Sequence, residues 1–275
     1  MVGIRERKIN IMVEERHFFA RIMHPLLVIF AYTFLYLPIL ILIFFSFNKS
    51  AISSSWTGFT LEWYKQMFNT PELLEALRAS LVVATASTIL SNILATAFVF
   101  AMRGRHGGFL YSLFYTNLFF PEIILGIGLL SFFAFFRLPL GYGSLIAGHT
   151  LIGLGFVVPI IRARFAEINP ILTEASADLG ASEFQTFRKV VMPLLRPAIV
   201  ASSLLVFTLS LDDFLIAFFC SSPRVQTLSV YVFSMVREGV SPTINAISTC
   251  LLAVSSLAIL ILSGMKILDQ VFFHD

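Results

Sequence analysis

Six long apolar runs, at about 26 to 47, 79 to 101, 110 to 133, 143 to 161, 198 to 219 and 244 to 264, contain none of the chain's 19 lysine and arginine residues. A helix needs roughly 20 apolar residues to cross a bilayer, and a basic side chain at the membrane centre costs about 2.5 to 3.5 kcal/mol on insertion scales. Runs of this length fit membrane helices, whose backbone groups are satisfied within the segment, rather than the shorter strands of a barrel. The fold class is therefore all-α, a polytopic membrane protein with six transmembrane helices in a single domain over residues 1–275. Composition agrees: 57% of the residues are hydrophobic and 13% charged, against about a quarter charged in a soluble domain.

Basic residues outside the runs set the orientation. Thirteen, among them Arg103, Arg105, Arg162, Arg164, Arg188, Lys189 and Lys266, fall on one side and six on the other. The richer side is expected to be cytoplasmic, together with both termini. A net charge of +3 then needs no nucleic-acid partner, because the bases sit where topology wants them. The first run is too long for a signal peptide and has no small-x-small cleavage pattern, so it reads as a retained helix opened at His24-Pro25. Cys220 and Cys250 have neither metal-ligand nor redox spacing and read as small apolar residues. Trp56, Phe59, Trp63, Tyr64 and Phe68 suggest an interfacial helix, with Thr60 as its cap and a fresh helix start at Thr70-Pro71.

A polar loop, about 165 to 197, separates the fourth and fifth runs. Glu174-Ala175-Ser176-Ala177-Asp178-Leu179-Gly180 predicts a short helix closed by a glycine in the left-handed conformation. Ser182 and Gln185 have capping-box spacing, and Pro193 is expected to stop the second helix. The result is a rigid knob outside the membrane. Its order and spacing, with Val190-Val191-Met192-Pro193, resemble the EAA loop of bacterial ABC importer permeases, which docks on an ATPase. Ser176, Val190 and Met192 stand where that pattern has alanine, isoleucine and leucine, all of similar bulk or still small. The resemblance makes Glu174, Ala175, Ser176, Gly180 and Pro193 the candidate ATPase-coupling residues.

The likeness extends to Trp56-Thr57-Gly58-Phe59-Thr60, Trp63-Tyr64, Pro121-Glu122-Ile123, Ser210-Leu211-Asp212-Asp213, Ser241-Pro242 and Asn245-Ala246. These resemble the permeases of spermidine/putrescine ABC importers, and the second permease subunit in particular. The resemblance implies a type I ABC importer permease in the bacterial inner membrane, paired with a sister permease, two copies of a cytoplasmic ATPase and an extracytoplasmic substrate-binding protein. The chain has no Gly-x-x-x-x-Gly-Lys-Ser/Thr phosphate loop, so ATP belongs to the partner and this chain is expected to be no enzyme and to hold no cofactor or metal.

Three of the 16 acidic residues fall inside the runs: Glu122, Asp212 and Asp213. Intramembrane carboxylates without basic partners suggest a cationic path, which makes them the substrate-pathway candidates. On a helix Asp212 and Asp213 would point about 100° apart, so both are not expected to face one pathway squarely. A structural role, bonded between helices, is the alternative for each. His149 reads as a hydrogen-bonded packing residue, and Gly126, Gly128, Gly153 and Gly155 as close-packing positions. The same architecture would serve ferric iron, thiamine or a phosphonate. From another class, a self-contained cation-coupled carrier remains, against which stand the loop and the lack of an internal repeat.

Overall fold

A computed structural model describes residues 2–50, 55–103, 108–239 and 242–264, with the side chains of 2–22, 24, 238, 254–255 and 258–264 outside the description. Arg105, Ser241 and Lys266 lie outside the described residues. The helices, in chain order, are α1 (Val2–Phe45), α2 (Glu62–Phe68), α3 (Pro71–Ala101), α4 (Gly108–Asn117), α5 (Glu122–Phe135) and α6 (Tyr142–Glu167). They continue as α7 (Pro170–Asp178), α8 (Glu183–Thr186), α9 (Met192–Asp212), α10 (Leu215–Cys220), α11 (Leu228–Glu238) and α12 (Pro242–Gly264). Contacts group the chain into two units, Met1–Met67 with Val240–Ser255, and Phe68–Gly239 with Ser256–Asp275.

In the first unit α1 runs uninterrupted through Pro25 and Pro38, so the helix does not open at His24-Pro25. Each proline removes one ladder bond, which a membrane helix absorbs by local adjustment. The apolar stretch Pro25–Phe45 is unburied throughout, as a surface facing lipid or another subunit should be. Beyond α1 the aromatic segment folds back on the helix end. Asn48 organises it: its Oδ1 accepts from Thr57 N at 2.9 Å, its Nδ2 donates to Ser55 O at 2.7 Å, and Trp63 Nε1 donates to its carbonyl at 2.7 Å. Trp56 stacks on Phe44 with ring centres 4.4 Å apart. Thr60 Oγ1 accepts from Glu62 N at the start of α2, as its position suggested.

The second unit is centred on α3, α6 and α9, which pack on one another. One apolar cluster gathers Val99, Val157, Ile161, Leu195 and Val206; another gathers Val83, Phe133, Leu145, Ile216 and Val230. Between the helices runs a polar seam. Ser202 Oγ donates to Asn92 Oδ1 at 2.7 Å, and Ser91 Oγ bonds Ser87 O at 2.7 Å and Thr150 O at 3.3 Å. Side-chain bonds of this kind, with small residues that let backbones approach, hold helices together where lipid supplies no hydrophobic drive. A Cβ on Gly153 would overlap Ser91 Oγ, one on Gly126 would overlap Phe219, and one on Gly155 would lie 3.0 Å from Asn117 Nδ2. Gly128 differs: nothing lies within 4 Å of its Cβ position, so close packing does not explain it.

Among the described residues four helical stretches are long and apolar enough to cross a membrane: Pro25–Phe45, Pro71–Ala101, Tyr142–Glu167 and Glu183–Asp212. The third apolar run is not one straight helix. α4 and α5 meet at 104°, because Pro121 has no N–H to continue the ladder and disfavours helix in the residue before it. Counted as one bent span they make five. The sixth run coincides with α12, a helix of 23 residues, so six runs and six helical regions remain compatible.

Candidate functional site

At one end of the second unit α7 and α8 form the knob. Asn169 caps α7, its side chain accepting from Ile171 N at 3.0 Å. Gly180 has φ +80°, a conformation that costs a side chain about 1 to 2 kcal/mol and glycine almost nothing. The capping box closes in both directions: Ser182 N donates to Gln185 Oε1 at 2.9 Å and Gln185 N to Ser182 Oγ at 3.3 Å. Across the turn Ser176 Oγ and Thr186 Oγ1 are 2.8 Å apart. No residue of α7 is buried, and Leu179 and Phe184 are 88% and 68% exposed. The turn thus presents two large bare apolar side chains.

Pro193 does not stop a helix. Phe187–Val191 form a π turn in which Met192 N donates to Phe187 O, and Pro193 follows in the first turn of α9. The wider turn frees position 193 from donating and leaves room for the ring. Glu183–Asp212 is therefore one helical run of 30 residues, about 45 Å long at 1.5 Å per residue. The knob is braced at its base: Arg103 pairs with Glu183 at 3.0 Å and covers the Phe100 ring at 3.9 Å, while Phe100 meets Phe187 at 4.8 Å.

The run ends at a cavity of about 260 Å³ lined by Glu122, His149, Ser210, Asp212 and Asp213, with Phe156 and Phe214 among its apolar walls and no lysine or arginine. All three intramembrane acids are thus brought together, from two breaks in the helices. Glu122 is the first residue of α5, immediately after the bend at Pro121 in the middle of the bent α4–α5 pair. Asp213 has left α9 for extended backbone, φ −62° and ψ 128°, before α10 begins. The 100° argument fails for that reason: the two aspartates are not successive positions of one helix, and both line the cavity.

Asp213 is held on several sides. Its side chain is 7% exposed. Oδ2 accepts from Ala217 N at 2.8 Å and Oδ1 from Ile216 N at 3.4 Å, which caps α10, and its carbonyl accepts from Ser229 Oγ at 2.7 Å. His149 Nε2 lies 3.6 Å from Oδ2, and Nδ1 lies 2.7 Å from Ser210 Oγ. Glu122 and Asp212 are exposed. Sequence reasoning took His149 for packing alone because no acid stands at helical spacing from it. The usable signal was chemical: a buried ring nitrogen and a buried carboxylate on different membrane helices tend to find each other. Among the described residues no group of three or more His, Cys, Asp or Glu is arranged to hold a metal ion.

Residues 88–273 match the family described as binding-protein-dependent transport system inner membrane component. The chain is 38% identical over 228 residues to the spermidine/putrescine transport system permease protein PotC of Escherichia coli (strain K12), covering 82% of this chain and 86% of that protein. It is 34% identical over 236 residues to the putrescine transport system permease protein PotI of the same organism, with 82% and 84% covered. In fold it is similar to a chain of a bacterial ABC transporter that imports the acidic polysaccharide alginate, with a TM-score of 0.67, 16% identity and coverage of 94% and 97%. A chain of the MetNI methionine ABC transporter follows at 0.55 and 19%, covering 72% of this chain and 95% of that one.

Proposed function

The chain belongs to the binding-protein-dependent transport system inner membrane component family, and on that premise we propose that it is the permease subunit of an ATP-driven importer of putrescine and spermidine. The observation that carries the substrate class is the cavity: three carboxylates and a histidine converge there without a lysine or arginine among its lining residues. A linear polyamine carries separated ammonium groups joined by methylene stretches, and acids between phenylalanine walls match both parts. The identity to polyamine permeases over four-fifths of the chain supports the same choice.

Transport then needs no covalent chemistry and no cofactor in this chain. A sister permease completes the path, two copies of a cytoplasmic ATPase use the ATP, and a binding protein delivers substrate from outside. The termini and the knob are cytoplasmic in this reading. In the second unit Arg103, Arg164, Arg188 and Lys189 share the knob's end of the helices, through the Arg103–Glu183 pair and the bond from Arg164 Nε to Leu194 O, which supports it. Glu174, Ala175, Ser176 and Gly180 belong to the knob that docks on the ATPase. Movement of the knob passes along one continuous helical run to the break at Asp212 and Asp213, where the path opens or shuts. Direction arises because nucleotide biases the inward and outward states.

The test is uptake of labelled putrescine and spermidine by cells without their own polyamine importers, supplied with this chain and its partner subunits. ATP-dependent uptake that disappears when this chain is omitted is the expected result. An assembled, ATP-hydrolysing complex that takes up neither would refute the substrate assignment while leaving the importer architecture.

A further inference from the structure

One polar atom of the cavity is left without a task by the cation path. His149 Nε2 is buried and has no hydrogen-bond partner, although Asp213 Oδ2 lies 3.6 Å away, just beyond hydrogen-bond length. On the far side of the ring Ser210 Oγ is 2.7 Å from Nδ1, and Ser87 Oγ, with one hydrogen to give, lies 3.2 Å from Ala84 O and 3.4 Å from Ser210 Oγ. With Ser210 Oγ giving its hydrogen to Nδ1, the neutral ring carries its proton on Nε2. The other tautomer would set an imidazole lone pair against a carboxylate oxygen, two acceptors facing each other in a buried place. The Nε2–H therefore faces Asp213 from α6, while the N–H groups of Ile216 and Ala217 hold the same carboxylate from α10.

We propose that His149 is the positioning residue for Asp213: its Nε2–H fixes the carboxylate from the α6 side and leaves the remaining lone pair for an ammonium group of the polyamine. This rests on the polyamine reading above. A carboxylate offers about four acceptor positions; two N–H groups of α10 and one of His149 use three, and an ammonium takes the fourth. Glu122 and Asp212 line the same cavity and offer carboxylates to the rest of the polyamine. A shift of less than an ångström in either side chain turns the 3.6 Å approach into a hydrogen bond.

Two substitutions separate the ring's two nitrogens. In H149Q the side-chain amide nitrogen falls near Nε2, whereas in H149N it falls near Nδ1 and nothing replaces Nε2–H. The measurement is equilibrium binding of tritiated spermidine to the assembled permease and ATPase complex in lipid nanodiscs, without the binding protein, whose own affinity would otherwise dominate. H149Q should bind within about twofold of wild type and H149N about tenfold more weakly, the weight of one hydrogen bond to a charged group. Both should unfold at the same temperature. Equal affinities in the two variants, or a loss that follows a falling unfolding temperature, would overturn the positioning role. A wild-type complex that binds no polyamine would instead overturn the polyamine reading, and the role of His149 with it.

Discussion

Ser176 Oγ and Thr186 Oγ1 lie 2.8 Å apart and join α7 to α8 across the turn at Gly180. The bond links two uncharged hydroxyls, so its net worth is about 0.5 to 1.5 kcal/mol. Ser176→Ala should leave substrate-stimulated ATP hydrolysis of the reconstituted importer within about twofold of wild type, since the small residue is what the packing needs. Ser176→Val should lower it by at least about fivefold, because a branched side chain would push the buried Thr186 away. Equal rates for both would show that the contact does not set the knob's shape.

Gly180→Pro is the stronger intervention. Proline fixes φ near −65°, whereas the knob turns at φ +80°. The complex should still assemble and co-purify, and substrate should no longer stimulate ATP hydrolysis. Undiminished stimulation would count against the coupling role of the knob.

Asp213→Asn keeps one oxygen acceptor for the α10 backbone and removes the charge. Uptake should fall by about tenfold or more, consistent with loss of a charge-assisted bond, while the amount of chain in the membrane stays within about twofold. Parallel losses of uptake and of abundance would assign Asp213 to folding.

Gly153→Ala tests the packed seam. The added methyl would overlap Ser91 Oγ and come 3.0 Å from Val206 Cγ1, so the cost should be about 1 to 3 kcal/mol. Gly128→Ala, with open space at its Cβ position, should leave the unfolding temperature of the purified complex unchanged. A similar fall in both variants would remove close packing as the explanation.

The chemistry of this chain was easier to read than its breaks. Gly180, the Ser182–Gln185 box and the Thr60 cap are local devices, decided within a few residues, and they stand where spacing put them. The acids were legible because carboxylates are conspicuous in apolar runs. Hydropathy is blind to direction, however: it sees the same apolar run whether the helix is straight, bent at Pro121 or interrupted at Asp213. Pro193 misled for a related reason, since the rule for proline presumes a regular ladder and Phe187–Val191 is a π turn. The approach of His149 to Asp213 joins α6 to the α9–α10 break, and no periodicity within one segment reveals it.

The unbroken helix from Glu183 to Asp212 also makes the spacing between knob and cavity a matter of phase. Adding or removing one residue along it would turn Asp212 by about 100° and displace it by about 1.5 Å relative to the knob, rotating its carboxylate off the cavity wall. Length changes should therefore be tolerated least in this stretch, whatever the local side chains are.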